Sequence, residues 1–278
     1  MVPERPPEGA RLRFKVHLWS SLKQLWSSRE LVRSMTEREL RSRYKQAFLG
    51  AAWALVSPLA LMIVFGLFVN TVANVDTQGA PYPLFSFVGL IPWTFFSTSF
   101  SNGGLSLLNN TQLLNKVYCP REIFPLSSVC VGLVDSAVSL IALLGLFVIT
   151  RYPPAATSFW VVPLLAIQLA FTIGVTLLLS SVVIYFRDLR HALPLLLQLG
   201  IFATPVAYSL SSISTKVQPY YVAANPMAAV IDGYRQCVLW GNAPTANITI
   251  IAAISASIFF FVGYAVFKRL EVGIADFA

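Results

Sequence analysis

The sequence predicts an all-α, polytopic membrane protein. Six transmembrane helices are preceded by N-terminal amphipathic interface helices and interrupted by a short external re-entrant or gate helix region. Two observations lead there. Of 278 residues, 56% are hydrophobic and only 12% charged, where a soluble domain carries about a quarter charged. Seventeen of the 20 Lys and Arg residues also fall on one side of a membrane-crossing pattern that the apolar runs define independently.

A spanning helix needs about 20 mostly apolar residues. Six stretches qualify: Ala47–Val72, Leu84–Leu108, Ile123–Thr150, Phe159–Phe186, Leu193–Leu210 and Asn247–Phe267. Eleven Lys and Arg residues precede Gln46, and Lys116, Arg121, Arg187, Arg190, Lys268 and Arg269 flank alternate connections. The positive-inside rule then puts both termini in the cytoplasm. Residues 1–46 form a cytoplasmic interface segment and 47–278 the transmembrane domain. The first apolar run lies behind a long basic segment, which argues against a cleaved signal peptide. The net charge of +8 would suit nucleic acid, but these charges flank apolar segments, so no nucleic-acid partner is expected.

The N-terminal segment reads as two interfacial helices. Leu12, Val16, Trp19, Leu22 and Trp26 recur at helical spacing, with Arg11, Lys15 and Lys23 placed to reach anionic headgroups. Ser27 with Glu30, and Thr36 with Glu39, have the spacing of capping boxes. Such helices either anchor the first span or offer a docking surface to a cytoplasmic subunit.

Between the fifth and sixth spans, Ser211–Ala246 is too long for a plain loop. Asn225-Pro226 sets an N-cap beside a first-turn proline. Met227, Val230, Ile231, Tyr234 and Val238 share one face, Asp232 and Arg235 pair on the opposite side, and Gly241 supplies a stop. From Pro226 to Trp240 such a helix is only about 22 Å long. That is too short to cross, so it is a re-entrant or surface-lying helix at the outer mouth, serving as a lid or a gate.

Several chemistries find no support. No GxxxxGK[ST] or GxSxG occurs, so the chain has no P-loop of its own and no nucleophile elbow. Cys119, Cys130 and Cys237 are odd in number and form no CxxC, and His17 and His191 lack ligand neighbours. Neither a disulfide framework nor a metal site is expected. Asp135 is the one acid inside a predicted span. It acts in a proton relay, for which no basic partner is evident, or pairs with Ser139 or backbone beside a wet cavity. Phe85, Phe87, Trp93, Phe95, Phe96 and Phe100 crowd the second span, and Tyr208, Tyr220, Tyr221, Tyr234 and Trp240 the outer end. They are packing and interface belts, or surfaces on which sugar rings slide.

Four segments together resemble the polysaccharide-export branch of ABC-2 type permeases, the Wzm-like subunits that export O-antigen, galactan and similar glycans. They are Arg38–Gln46 continuing through Leu49-Gly50 to Ser57-Pro58-Leu59, and Gly89-Leu90-Ile91-Pro92-Trp93. The third is Asn115–Leu126, and the last runs from Arg187-Asp188-Leu189 through Thr204–Ser209 to Asn225-Pro226-Met227 and Tyr234-Arg235. The resemblance spans nearly the whole chain in order; Cys119 stands where relatives often carry an aromatic.

The resemblance implies a homodimer in the bacterial cytoplasmic membrane, joined to two copies of a cytoplasmic ABC ATPase subunit. That partner would bind ATP and magnesium, while this chain would be a non-enzymatic transport subunit without a cofactor. The cargo would be a polyprenyl-diphosphate-linked glycan, with an actinobacterial type of galactan the narrowest expectation. A coupling helix over about 109–124 would engage the ATPase through Asn115, Lys116, Pro120, Arg121 and Glu122. The lipid headgroup would be admitted near Leu49 and Gly50, met by Arg38, Arg41, Arg43 and Lys45, unless those cations serve only as topology anchors. Trp93, Phe96, Tyr208, Asn225, Pro226, Tyr234 and Arg235 would line the channel or its outer gate. The alternatives are an ABC-2 permease for a drug or small lipid, a secondary carrier or channel, and an intramembrane enzyme.

Overall fold

The computed structural model describes residues 28–45, 50–70, 75–114, 119–271 and 273, and no strand occurs among them. Interface helix α1 is Arg29–Tyr44. Next comes α2, Trp53–Val64, extended by a π-helical stretch at Phe65–Asn70. Helix α3 runs Tyr82–Asn109 with a π turn at Ser99–Gly103, and a single turn, α4, follows at Thr111–Leu114. The long helices α5 (Ile123–Thr150) and α6 (Val161–Tyr185) precede the shorter α7, Leu189–Ala203. Two short helices, α8 (Gln218–Ala224) and α9 (Pro226–Val238), lead to α10, Ala246–Glu271.

Among the described residues, four helices are long and apolar enough to cross a membrane: α3, α5, the stretch Ala156–Tyr185 that contains α6, and α10. Their positions match the expected second, third, fourth and sixth spans, and the third matches residue for residue. Helices α2 and α7 are shorter apolar segments. The fifth apolar stretch, expected to run to Leu210, leaves its helix at Ala203. Pro205 explains the early end, because the residue before a proline is pushed out of the helical region, and Thr204 is extended at φ −114°, ψ 139°.

Helix α3 is the hub. Its most apolar window is 72% buried, against 22% for α5, 33% for α10 and 39% for the α6 stretch. The others turn apolar side chains outward, as Ile141, Leu144 and Val148 do on α5, which suits contact with lipid. Most of the predicted aromatics on α3 are therefore core: Phe85, Phe87, Trp93 and Phe95 are buried, and Phe96 stacks on Phe171 at 5.4 Å. Helices α6 and α10 cross most closely at Gly174 and Gly263. A Cβ at Gly263 would overlap the Gly174 carbonyl, and one at Gly174 would meet the backbone of Phe259. Small residues let helix backbones approach where lipid supplies no hydrophobic drive between them.

The interface segment differs from expectation. The helix expected over Leu12–Trp26, and Ser27, lie outside the described residues. Thr36 caps no second helix; it sits inside α1 and its hydroxyl donates to the Val32 carbonyl at 2.8 Å. Helix α9 is sunk into the protein rather than laid on its surface, with twelve of its thirteen residues buried. The predicted stop at Gly241 holds, at φ +72°.

Candidate functional site

At the end of the bundle that carries α1, the chain builds a polar centre around Asp135. Arg43 donates through Nη1 to Asp135 Oδ2 at 2.6 Å, and the Tyr44 hydroxyl donates to Oδ1 at 2.6 Å. Arg43 also lies 3.7 Å from Glu39, whose carboxylate accepts from Ser128 at 3.1 Å. So Asp135, the one acid of the predicted spans, has a basic partner, which the sequence did not disclose. Burial pushes the Glu39 carboxyl above its ordinary value, opposed by the Ser128 hydrogen bond and the Arg43 charge. Burial, then the bond to Asp135, raises the Tyr44 phenol to about 12. A cavity of about 340 Å³ opens beside this centre, bounded by α1, α2, α3 and α5.

The four cations expected to meet a headgroup separate into two groups. Arg43 faces inward, held by Asp135 and Glu39. Arg38 and Arg41 on α1, and Lys45 just past its end, are exposed; Arg38 donates to Asn110 Oδ1 at 2.7 Å, and Arg41 is 3.8 Å from Glu37. Gly50 adopts φ +52° at the start of a short 3-10 turn, a conformation that suits glycine. Leu49 lies outside the described residues.

In the expected coupling segment, the described part is α4, then Pro120 and a turn into α5; Asn115 and Lys116 lie outside the described residues. Arg121 and Glu122 point inward. Glu122, 1% exposed, forms an ion pair with Lys268, which also bonds Glu271 at 2.9 Å. Arg121 donates to the Glu271 carbonyl. Both charges thus fasten the segment to the end of α10.

At the opposite end, the broken terminus of α7 is closed by side chains. A helix end leaves carbonyls without partners, and inside a membrane protein such groups must be met by other protein groups. The Tyr208 hydroxyl donates to Phe202 O at 3.1 Å, the Tyr221 hydroxyl donates to Ala203 O, and Asn225 Nδ2 donates to Thr204 Oγ1 at 2.9 Å. Asn225 is therefore a clasp on α7, and its side chain makes no N-cap hydrogen bond to α9. Arg235, 0% exposed, donates to the carbonyls of Phe85, Pro205, Val206 and Tyr208 and lies over the Phe85 ring at 3.7 Å. It does not sit on the outer face beside Asp232, which instead accepts from Gln236 at 2.6 Å. Tyr234 donates to Gln168 Oε1 at 2.9 Å, and Gln168 donates to Pro92 O at 2.8 Å. Pro226 and Tyr234 are buried in α9.

A second cavity of about 540 Å³ lies between α2, α3 and α7. Phe65, Trp93, Ser101, Asn102, Gln198 and Phe202 are among its walls. Both π turns border it, through Phe65 and through Ser101 and Asn102. π-helical turns widen a helix locally and recur at functional positions. Phe96 is outside this lining; it packs between Trp93, Phe100 and Phe171.

Sequence reasoning assigned no role to Gln168 or Tyr44, and it read Glu39 only as part of a capping box and Lys268 only as an orienting charge. An amide in an otherwise apolar span was a readable signal at Gln168. The other three gain meaning only from partners far away in the chain.

These features define a polytopic helical membrane protein with two cavities that share the Ser97–Thr98 stretch of its hub helix. The sequence pattern of the ABC-2 type transporter family matches residues 30–239, and the chain belongs to that family. It is 35% identical over 238 residues to the O-antigen export system permease protein RfbA of Myxococcus xanthus, covering 84% of this chain and 90% of the relative. Similarity to the Klebsiella pneumoniae protein of the same name is 28% over 248 residues, covering 89% and 94%. To the polysialic acid transport protein KpsM of Escherichia coli it is 24% over 246 residues, covering 86% and 93%.

Proposed function

We propose that this chain is the membrane permease of an ABC exporter that moves a polyprenyl-diphosphate-linked polysaccharide across the bacterial cytoplasmic membrane. The observation that carries this reading is the cavity between α2, α3 and α7. Its amide and hydroxyl side chains, Asn102, Gln198 and Ser101, lie on apolar helices beside Phe65, Trp93 and Phe202. Polar groups at membrane depth are costly unless they serve a path or a partner. Aromatic faces flanked by amides suit sugar rings, which present C–H faces and hydroxyl edges. The names of the relatives point to the same cargo class.

In this reading two copies face each other across α2 and α7, whose outward apolar side chains include Ile63, Leu67, Leu195 and Leu199. Helices α2 and α7 complete six spans, and both termini are cytoplasmic. A separate ATPase, in two copies, engages the segment between α3 and α5 and supplies ATP, magnesium and the power stroke. The diphosphate is met by Arg41 and Lys45 on the exposed side of α1, near Gly50; Arg43 is neutralised internally and plays no direct part. Depleting the partner ATPase should leave the lipid-linked polymer on the cytoplasmic side of the membrane, detected by its resistance to an external glycosidase. Export that continues undiminished after depletion overturns the reading.

A further inference from the structure

The cavity beside Asp135 differs chemically from the exposed cations of α1. Its volume of about 340 Å³ lies within the range of small-molecule sites, about 300–1,000 Å³. The charged groups in its lining are Arg43 and Asp135, and they neutralise each other at 2.6 Å. Four of the hydroxyls in the wall share an orientation. Thr94 donates to Ile91 O at 2.9 Å, Ser97 to Thr94 O at 3.2 Å, Ser136 to Gly132 O at 2.9 Å and Ser139 to Asp135 O at 3.1 Å.

A hydroxyl has one proton to give and two lone pairs to receive with. These four have spent their protons on their own helices, so towards the cavity they offer acceptors, as the Asp135 carboxylate does. A phosphate, itself an acceptor, would meet repulsion from Asp135 and find its main cation, Arg43, already held. A neutral polyol brings donors for these acceptors, and its own oxygens can accept from Ser57 and Thr98 in the same wall. At the rim, Trp53 is 53% exposed and lines the same cavity, offering an indole face to the C–H side of a ring.

We propose that this cavity binds a neutral sugar ring, whose hydroxyls donate to Asp135, Ser97 and Ser136 while Trp53 covers one ring face. The assignment rests on the export reading only for the source of the sugar, the residue of the glycan nearest its lipid. It divides the labour at this end of the protein: exposed cations for the diphosphate, an acceptor-lined pocket for the adjoining sugar.

The test uses the full chain in lipid nanodiscs, with methyl β-galactoside, methyl α-mannoside and inorganic pyrophosphate as separate probes in ligand-detected NMR. At least one glycoside should bind. Its affinity should fall about fivefold or more in Ser97→Ala/Ser136→Ala, the scale expected for losing two neutral acceptors, and in Trp53→Ala. Ser257→Ala, on an exposed serine of α10, should leave it unchanged, and unfolding midpoints should confirm that the variants fold. Glycoside binding that is absent or indifferent to these substitutions overturns the proposal, as does pyrophosphate binding that they weaken. The export reading fails separately: if a glycoside binds as described but depletion of the chain traps no glycan, the sugar site stands and the exporter does not.

Discussion

Arg43 and Asp135, 92 residues apart in the chain, meet at 2.6 Å, and the contact seats α1 on α5. Their side chains are 28% and 17% exposed, so water reaches the pair in part. Removing one partner of a wholly buried pair costs about 3–5 kcal/mol. Here Arg43→Gln or Asp135→Asn should each cost about 1–3 kcal/mol, allowing for that water. The double variant should cost little more than either single one. Thermal unfolding in detergent checks this; additive losses would show that the two side chains are not coupled.

Glu39 makes docking of α1 depend on pH. Its carboxyl titrates above the ordinary value of 4.5 because burial disfavours the charge. The folded state therefore holds the proton over a window in which the unfolded chain has released it, so stability falls as pH rises from about 4.5 through the raised value and then levels. Glu39→Gln should flatten that part of the profile. Unfolding midpoints of both proteins, measured from pH 4 to 8, provide the comparison; parallel curves would refute it.

Arg235 has its guanidinium distributed over four carbonyls. A lysine places one ammonium where a planar fork is needed and leaves carbonyls of the broken segment unpaired. Arg235→Lys should destabilise the protein by about 2–4 kcal/mol, the cost of a few orphaned buried polar groups. Folded yield by size-exclusion chromatography, together with the unfolding midpoint, would show it. A variant as stable as the parent would exclude a clasp at this position.

At the crossing of α6 and α10, Gly263→Val should separate the two helices and sharply lower the folded yield, since its Cβ has no room. Gly145→Ala, with nothing within 4 Å of the new carbon, should be neutral or stabilising by up to about 1 kcal/mol from helix propensity. The same yield assay ranks the two; equal behaviour would mean the crossing tolerates expansion.

The long spans were legible because hydrophobic length is a local property: Ile123–Thr150 needs no partner to declare itself. The short α7 was misjudged at its far end because apolar composition continues past Thr204, while the effect of Pro205 is steric. The charges were harder to read. Arg235 was expected to pair with Asp232 because helical spacing reports only neighbours on the same helix, whereas the carbonyls that hold it come from Phe85 and from residues 205–208. Likewise Arg43 looked like one of four equivalent cations in the sequence. Only the packing of α1 against α5 distinguishes it from Arg41 by bringing it to Asp135.

The fastening of Arg121 and Glu122 to the last turn of α10 has a mechanical meaning. Residues 121–122 cannot be displaced without dragging Lys268 and Glu271, and α10 is interlocked with α6 at Gly174 and Gly263. In the proposed exporter, a force applied at this corner would reach α10 and α6 together. The compliant parts of such a machine would then be the short α2 and α7, with their π turn and proline break, the two walls that border the wider cavity.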